Sequence, residues 1–373
     1  MTSTGLGGLP PMDVAGRLDR LRTAVGDATP TGQNLLVTHL TNIRYLTGFT
    51  GSAALLVVHE RGAALVTDGR YEEQAADELA ASGASVSVLI GRTAEVQRRL
   101  VLDALGGASS VGLEADHVTW ADQRRYAASW PALELVPTSG LVESRRALKD
   151  DGEVARIERA CAIADDALAG VAPLLEDRPT EAAFAQALDG EVRRLGADDI
   201  SFETIVASGP NGSRPHHTPG DRTVERGDLV VVDFGALVDG YHSDMTRTIA
   251  VGGPTALTPE QQRMLAVVAE SQAAGVDAVG PGVAARSVDE ACRSVIEAAG
   301  WGDAFVHGTG HGVGLDVHED PRVAATADAT LVPGQVVTVE PGVYLPGHGG
   351  VRIEDTVLVT PNGRRTLTRA PKH

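Results

Sequence analysis

The sequence predicts a mixed α/β (α+β) protein with two domains. The chain of 373 residues is longer than a single ordinary core requires, so it has room for two cores. Short apolar runs alternate with helical patterns in the first 145 residues, which is typical of an α/β domain. The remainder combines longer helical patterns with very apolar strands that contain single acids, which indicates a second domain of different architecture.

The first domain is predicted to span residues 13–145, after a disordered stretch at residues 1–12. Apolar residues recur at helical spacing at 14–26, 71–82 and 93–106, which predicts three helices. Short apolar or β-branched runs between them predict strands. These runs are Leu35–Thr38, Ala54–Val58, Ala63–Thr67, Ser85–Ile90, Val111–Glu114 and Leu133–Val136.

The second domain is predicted to span residues 146–373 and to open with a long amphipathic helix. Val154, Ile157 and Cys161 begin a series of apolar residues at helical spacing, and acids precede them, as at a helix start. Further helical patterns lie at 180–195, 259–279 and 287–299. The strongly apolar strands read DLVVVDFGALV, YHSDMTRTIAV, QVVTVEPGVYL and GVRIEDTVLVT.

The charge balance excludes two classes of partner. The sequence has 50 Asp and Glu residues against 32 Lys and Arg residues, a formal net charge of −18, which disfavours nucleic acid and anionic membranes. It shows neither a signal-peptide pattern nor an apolar run of about 18 residues, so we expect a cytoplasmic protein without a transmembrane helix. Cys161 and Cys292 lie in helical patterns and are expected to be buried free thiols.

Each of the apolar strands carries an acid where a core residue is expected. A single acid in such a strand is usually satisfied by hydrogen bonds, but four buried carboxylates are costly unless they are paired or bind metal. The nearby cations are Arg247 and Arg352, and we expect Arg352 to orient a carboxylate ligand. The four acids are Asp233, Asp244, Glu340 and Glu354.

The turn between the first two of these strands brings two acids together. Asp239-Gly240 is a strong signal for a two-residue hairpin turn. This turn places Asp244 opposite Gly235, and Asp233 lies two residues further along the same face. Such diagonal neighbours lie roughly 7–8 Å apart between backbones, so both carboxylates can reach one metal centre, and Gly235 leaves room for it.

A glycine-rich segment supplies histidines. HGTGHGVGLDVHED, residues 307–320, contains His307, His311 and His318, but its glycines would each cost a helix about 1 kcal/mol. The segment is therefore predicted to be a loop or a short extended run. Carboxylates combined with imidazole suit manganese, with cobalt or zinc as alternatives. Four negative charges balance two divalent ions, which at about 3.5–4 Å from each other can activate a water for hydrolysis.

Together these motifs resemble the pita-bread metallopeptidases, in the aminopeptidase P and prolidase branch. VVDFG, SDMTRT, HGTGHGVGLDVHE, VTVEPGVY and VRIED carry the resemblance, and TNIRYLTGFTGS resembles the creatinase-like amino domain of the same branch. The resemblance implies a creatinase-like α/β amino domain followed by a pita-bread carboxy domain, and a homodimer. It also implies a set of five metal ligands: Asp233, Asp244, His311, Glu340 and Glu354.

The resemblance further implies roles beside the metals. His216, in NGSRPHHTPG, and His318 are expected to stabilise the oxyanion, His307 to lie near the proline site, and Glu340 to transfer a proton. His217 is expected to be a bystander. We expect His242, two residues before Asp244, to have an indirect or solvated role.

The predicted activity is that of an Xaa-Pro aminopeptidase, which hydrolyses the bond before a proline at the second position of a peptide. The alternative is an Xaa-Pro dipeptidase, in which an arginine before VTVEPG grips the free proline carboxylate. Residues 324–334 contain no cation and Arg322 lies further upstream, which favours the aminopeptidase. A metal-free creatinase-like hydrolase and a non-catalytic binding module are more remote alternatives, because both predict missing metal ligands.

Overall fold

The computed structural model describes residues 8–28 and 34–372. They form two compact units, one of residues 11–146 and one of residues 147–372 together with 8–10. Of the stretch predicted to be disordered, residues 1–7 lie outside the described residues. In the part that is described, Arg156 Nη1 donates a 2.9 Å hydrogen bond to the Pro10 carbonyl, and Leu9 packs against a hydrophobic core.

The amino-terminal unit is built on one six-stranded mixed sheet. Its strands are β1 (Leu35–Val37), β2 (Ala54–His59), β3 (Gly62–Thr67), β4 (Ser87–Ile90), β5 (Ser110–Glu114) and β6 (Glu134–Thr138), in the order β4-β3-β2-β1-β5-β6. Its helices are α1 (Arg17–Ala28), α2 (Leu40–Thr47), α3 (Glu72–Ser82), α4 (Ala94–Leu105), α5 (Trp120–Ser129) and α6 (Glu143–Arg146). The sequence predicted the six strands and α1, α3 and α4, but not α2, α5 and α6.

The missed helices have weak sequence signals. Tyr126 is the one buried residue of α5, so no apolar stripe marks this helix. Thr119 caps α5 by accepting a hydrogen bond from the Asp122 amide, and such a cap stabilises a helix start without a periodic pattern. The second missed helix, α2, is only eight residues long, and α6 only four, both shorter than a periodicity window.

The carboxy-terminal unit contains the longer helices. These are α7 (Asp151–Val171), α8 (Glu181–Arg194), α9 (Pro259–Ala278) and α10 (Ala285–Ala298), close to the predicted ranges. Asp150 and Glu153 form a capping box at the start of α7, as the early acids of the sequence indicated. No helix of the described residues is long and apolar enough to cross a bilayer.

The strands of this unit form several small antiparallel sheets. They are β7 (Asp199–Ile200), β8 (Ile205–Ser208), β9 (Leu229–Phe234), β10 (Ala236–Val238), β11 (Tyr241–His242), β12 (Met245–Ala250), β13 (Gly310–Gly312), β14 (Glu319–Val323), β15 (Val336–Val339), β16 (Gly342–Leu345), β17 (Gly349–Arg352), β18 (Asp355–Thr360) and β19 (Gly363–Thr366). The sheet orders are β12-β9-β8, β14-β13-β15-β18-β19, β16-β17 and β11-β10-β7.

Two hydrophobic cores support these sheets. The first joins α7 and α8 to β9, with Ile163, Phe184 and Val232 among its buried members. The second joins α9 and α10 to the five-stranded sheet, with Val268 and Val337 among its buried members. Both cysteines are free and buried, as predicted. The mixed α/β fold class is confirmed.

The predicted hairpin is confirmed in its turn and its register. Asp239 and Gly240 have φ angles of 47° and 77°, the positive values that a two-residue hairpin turn of this type needs. Val238 pairs with Tyr241 across this turn. Beyond a short break the same register continues, because Phe234 pairs with Met245 and Asp233 with Thr246.

Gly235 lies at this break, where the two chains approach closely. A Cβ atom on residue 235 would overlap the Ser243 carbonyl oxygen and approach the Ser201 side chain. The position therefore accepts no side chain unless the backbone moves.

We expect Gly235→Ala to lower the free energy of unfolding by about 2 kcal/mol or more, because it overpacks a rigid hairpin. Gly190→Ala is the control, since nothing lies within 4 Å of a Cβ atom there. Gly190 is inside α8, so alanine should stabilise the helix by up to about 1 kcal/mol. Urea denaturation measures both changes, and equal midpoints for Gly235→Ala and the unchanged protein would contradict the close approach.

Candidate metal centre

The four strand acids predicted from the sequence lie on neighbouring strands of the carboxy-terminal unit. Asp233 lies in β9, Asp244 directly before β12, Glu340 directly after β15, and Glu354 between β17 and β18. Asp233 pairs with Thr246, and Thr246 Oγ1 donates a 2.7 Å hydrogen bond to Glu354 Oε2. The strand pairing therefore brings carboxylates together that are over a hundred residues apart in the chain.

His311 is the imidazole that meets these acids. Its Nε2 lies 3.6 Å from Asp244 Oδ2 and 3.4 Å from Glu340 Oε1. One potential ligand atom each of Asp244, His311 and Glu354 lie within 4.8 Å of one another. His311 Nδ1 donates a 3.0 Å hydrogen bond to the Gly312 carbonyl, so the Nε2 that faces the acids is the nitrogen with a free lone pair.

The glycines around His311 allow this approach. A Cβ atom on Gly310 would overlap the backbone carbonyl of Thr338 in β15, and one on Gly312 would overlap that of Asp320. Glycine is therefore required where β13 lies between its two neighbours. The predicted extended run is confirmed, since β13 covers Gly310–Gly312.

Burial and mutual repulsion shift the pKa values of the acids upward. Burial, and then the charge of neighbouring acids, raises the pKa of Asp244 and of Glu354 well above the usual value. Burial likewise raises the pKa of Glu340 to about 8, although the Arg352 charge opposes it. Burial lowers the pKa of His311 to about 4, so its imidazole is neutral. This group of acids needs more positive charge than the described protein residues supply.

Two buried carboxylate oxygens in the cluster are candidates for metal coordination. Among the described residues, Asp233 Oδ1 and Glu354 Oε1 have no hydrogen-bond donor. Leaving a buried acceptor unsatisfied costs about 1–3 kcal/mol, and more for a charged group. Carboxylate oxygens and one imidazole are ligands that suit divalent manganese, cobalt or zinc. The residues therefore fit a divalent metal centre.

Arg352 holds one side of the cluster. Its Nη2 lies 2.5 Å from Asp233 Oδ2, its Nε donates to Thr246 Oγ1, and its Nη1 donates a 2.7 Å hydrogen bond to the Tyr344 hydroxyl. The Tyr344 hydroxyl in turn lies 2.8 Å from His307 Nε2. Since His307 Nδ1 donates to the Gly308 carbonyl, Nε2 accepts the tyrosine proton. A continuous chain of hydrogen bonds thus links a strand acid to His307.

The other two predicted histidines also lie at this cluster. The ring centroids of His318 and His311 are 4.3 Å apart. Burial lowers the pKa of His318, and the charge of His216 adds to this effect. Burial also lowers the pKa of His307 to about 4, and His216 again contributes. Arg352 Nη1 donates a 3.4 Å hydrogen bond to the carbonyl of Pro215, so the residue before His216 contacts the arginine of this cluster.

His217 has a contact that the sequence did not reveal. Its Nε2 donates a 2.8 Å hydrogen bond to Glu181 Oε2. Glu181 is fully buried and also accepts hydrogen bonds from Ser208 and Asn211. This network anchors the loop that carries His216, so His217 has a structural role instead of being a bystander. His242 Nδ1 lies 2.9 Å from Ser201 Oγ, in line with its expected indirect role.

Comparison with known families decides the identity. Residues 155–361 match the model of metallopeptidase family M24, and residues 17–148 match that of the creatinase/prolidase N-terminal domain. The chain belongs to metallopeptidase family M24. It is therefore a metallopeptidase, and the family implies divalent metal ions. The predicted creatinase-like amino domain and pita-bread carboxy domain are confirmed.

Several known proteins are similar to this chain over nearly its whole length. A Bacillus subtilis protein described as uncharacterized peptidase YqhT is 42% identical, covering 95% of this chain and 98% of the relative. The structure of an Xaa-Pro dipeptidase from Bacillus anthracis has a TM-score of 0.88 at 38% identity, covering 96% and 98%. That of an X-Pro aminopeptidase from Thermotoga maritima has a TM-score of 0.85 at 31% identity, covering 95% and 98%.

The raised pKa of Glu340 predicts how the metal-free protein responds to pH. A carboxyl group whose folded pKa lies near 8 instead of near the ordinary value contributes stability at low pH, and this contribution is lost as the pH rises through about 8. We expect the Tm of chelated protein to fall by about 5 °C or more between pH 6 and pH 8.5. Manganese should restore more of the Tm at pH 8.5 than at pH 6.

Glu340→Gln is the control, because glutamine cannot ionise and should flatten this pH dependence. Differential scanning calorimetry at several pH values measures it. A chelated protein as stable at pH 8.5 as at pH 6 would show that the acids are not held together under strain.

Proposed function

We propose that the chain is an exopeptidase that hydrolyses Xaa-Pro bonds with two divalent metal ions, manganese first among them. The observation that carries this proposal is the convergence of strand acids and His311 around the unsatisfied oxygens of Asp233 and Glu354. Relatives described as Xaa-Pro dipeptidase and X-Pro aminopeptidase support the substrate class. The proposed metal ligands are Asp233, Asp244, His311, Glu340 and Glu354.

The bound ions would supply Lewis-acid activation of the peptide carbonyl and of water. Glu340 is proposed to move a proton, because its Oε1 lies 3.4 Å from His311 Nε2, among the proposed ligands. His216 and His318 are proposed to donate hydrogen bonds to the oxyanion. His307, whose Nε2 accepts from Tyr344, is proposed to line the proline site.

A separate site for proline has a physical reason. The nitrogen of a proline in a peptide carries no hydrogen, and its ring fixes the backbone. A pocket that relies on a hydrogen bond from this nitrogen therefore rejects proline. Rings at the site, such as those of the half-buried His307 and the buried Tyr344, can pack against the pyrrolidine ring instead.

The strand position and charge of Arg322 favour a second candidate function, that of an Xaa-Pro dipeptidase. Gly310 of β13 pairs with Val323 of β14, and the register shifts between Gly310 and Gly312, so Arg322 lies on the strand that borders the segment carrying His311. After burial, the charge of Arg322 contributes to the low pKa of both His311 and His318. A guanidinium on this strand could pair with the free carboxylate of a dipeptide.

We therefore propose that dipeptides are preferred, although the cation-free segment 324–334 favoured longer peptides. Homodimer formation and a cytoplasmic location stay predictions from the sequence.

We expect chelation to abolish cleavage of Ala-Pro, and manganese or cobalt to restore it. Ala-Pro should be cleaved at least about tenfold faster than Ala-Ala or Met-Ala, because those lack the pyrrolidine ring. Asp244→Ala should lose at least one metal equivalent, as measured by atomic emission, whereas the neighbouring His242→Ala should retain the metal. Full activity of metal-free protein, or a preference for Met-Ala, would overturn the proposed function.

Substrate length tests the role of Arg322. The unchanged protein should have a kcat/KM for Ala-Pro at least about tenfold above that for Ala-Pro-Ala, which is one charge-assisted contact of about 1.4 kcal/mol. Arg322→Ala should remove this preference by raising KM for Ala-Pro. Arg286→Ala, at another exposed arginine of the same unit, is the control. Faster cleavage of Ala-Pro-Ala by the unchanged protein would identify an aminopeptidase.

A further inference from the structure

A second group of metal-ligand side chains lies in the amino-terminal unit. His39 lies directly before α2, His117 lies between β5 and α5, and Glu143 begins α6. One potential ligand atom of each lies within 4.8 Å of the others. These residues belong to a different unit from the M24 centre, and the function proposed above does not use them.

The carboxylate of this group is held in place. Asn42 Nδ2 and His117 Nε2 donate hydrogen bonds of 2.5 and 2.9 Å to Glu143 Oε1. Asn42 is itself fixed, because Arg146 Nη1 donates a 2.8 Å hydrogen bond to its Oδ1. Burial would raise the pKa of Glu143, but the hydrogen bonds from Asn42 and His117 lower it below the usual value. Glu143 is therefore an ionised, oriented carboxylate.

A buried acid also positions the backbone at His39. Glu114 is buried, and its Oε2 accepts hydrogen bonds from the backbone amides of Thr38 and His39 at 2.6 and 2.9 Å. Its Oε1 accepts a 2.7 Å hydrogen bond from Asn42 Nδ2. The Asn42 side chain thus connects Glu114, which binds the backbone at His39, to Glu143, which contacts His117. Such outer contacts orient ligands in metal sites.

The two imidazoles lie face to face. The ring centroids of His39 and His117 are 3.8 Å apart and the ring planes differ by 6°. Neutral imidazole is the metal-binding form, and two imidazolium ions at this distance would repel each other. The χ2 torsion of histidine is soft, so the rings can tilt until both lone pairs face one ion.

We propose that His39, His117 and Glu143 form a second binding site for a transition metal ion, with zinc as the best match. Two histidines and one glutamate are a ligand set of zinc sites that keep one open position. The ion would take the place of the proton between His117 Nε2 and Glu143 Oε1, and the neutral ring would carry its proton on Nδ1 instead. Their separation of 2.9 Å would widen to about 3.3 Å, as zinc bonds of about 2.0–2.1 Å in tetrahedral geometry require.

The site is accessible to an ion from solvent. The His117 and Glu143 side chains are 26% and 27% exposed, so binding requires no opening of the core. In the absence of metal, the same residues form an ordinary histidine–carboxylate contact. Zinc binding distinguishes a metal site from that contact.

The full-length chain tests the proposal by its zinc content after equilibrium dialysis. Because the M24 centre also binds zinc, the comparison is between variants. His117→Gln and Glu143→Gln should each hold one zinc equivalent fewer than the unchanged chain. His59→Gln is the matched control, because His59 is a half-buried histidine of the same unit, and it should lose none. Equal zinc content in His117→Gln and the unchanged chain would overturn the proposal.

A second test uses the unchanged chain, so its result does not depend on whether a variant folds. Diethyl pyrocarbonate modifies neutral imidazoles, and mass spectrometry of peptides reports the rate at each histidine. Zinc should slow the modification of His39 and His117 at least about tenfold and leave His59 unaffected. Identical rates at His117 with and without saturating zinc would also overturn the proposal, whatever happens at His311.

Discussion

The carboxy-terminal unit depends on the cost of burying several carboxylates next to one another. Asp244 and Glu354 are 4% and 1% exposed, and burial together with neighbouring charge raises their pKa values well above normal. A fold of marginal stability tolerates such a group only when attractive interactions offset the free-energy cost of desolvating the carboxylates. Arg352 contacts one of the acids, Asp233. Divalent metal ions supply the remaining positive charge in this family.

The surrounding architecture serves this constraint. Antiparallel strands from two separate stretches of the chain, β9 with β12 and β15 with β18, carry the acids. Glycines at 235, 310 and 312 let backbones approach where a Cβ atom would collide. Helix pairs behind the sheets fill the two cores, so the strands cannot move apart to relieve the repulsion. His307, His311 and His318 lie in or beside the extended segment around β13, and hydrogen bonds to Glu181 anchor the loop that carries His216.

The sequence predicts the parts of this arrangement that depend on local chemistry. The Asp239-Gly240 turn fixes the register of Asp233 and Asp244, because turn type and strand alternation leave little freedom. Contacts between distant segments leave no such pattern. The hydrogen bond from His217 to the buried Glu181 and the stacking of His39 on His117 arise from tertiary packing alone. The helix α5 was missed because its stability rests on a cap and one buried tyrosine.

We propose that the buried acids hold two metal ions. Anomalous diffraction from crystals grown with saturating manganese tests it most directly, because it locates the ions without reference to activity. We predict two peaks about 3.5–4 Å apart, both within bonding distance of carboxylate oxygens, with Asp233 Oδ1 and Glu354 Oε1 among the ligands. A single peak, or manganese elsewhere while both oxygens stay uncoordinated, would show that the acids do not form a two-metal centre.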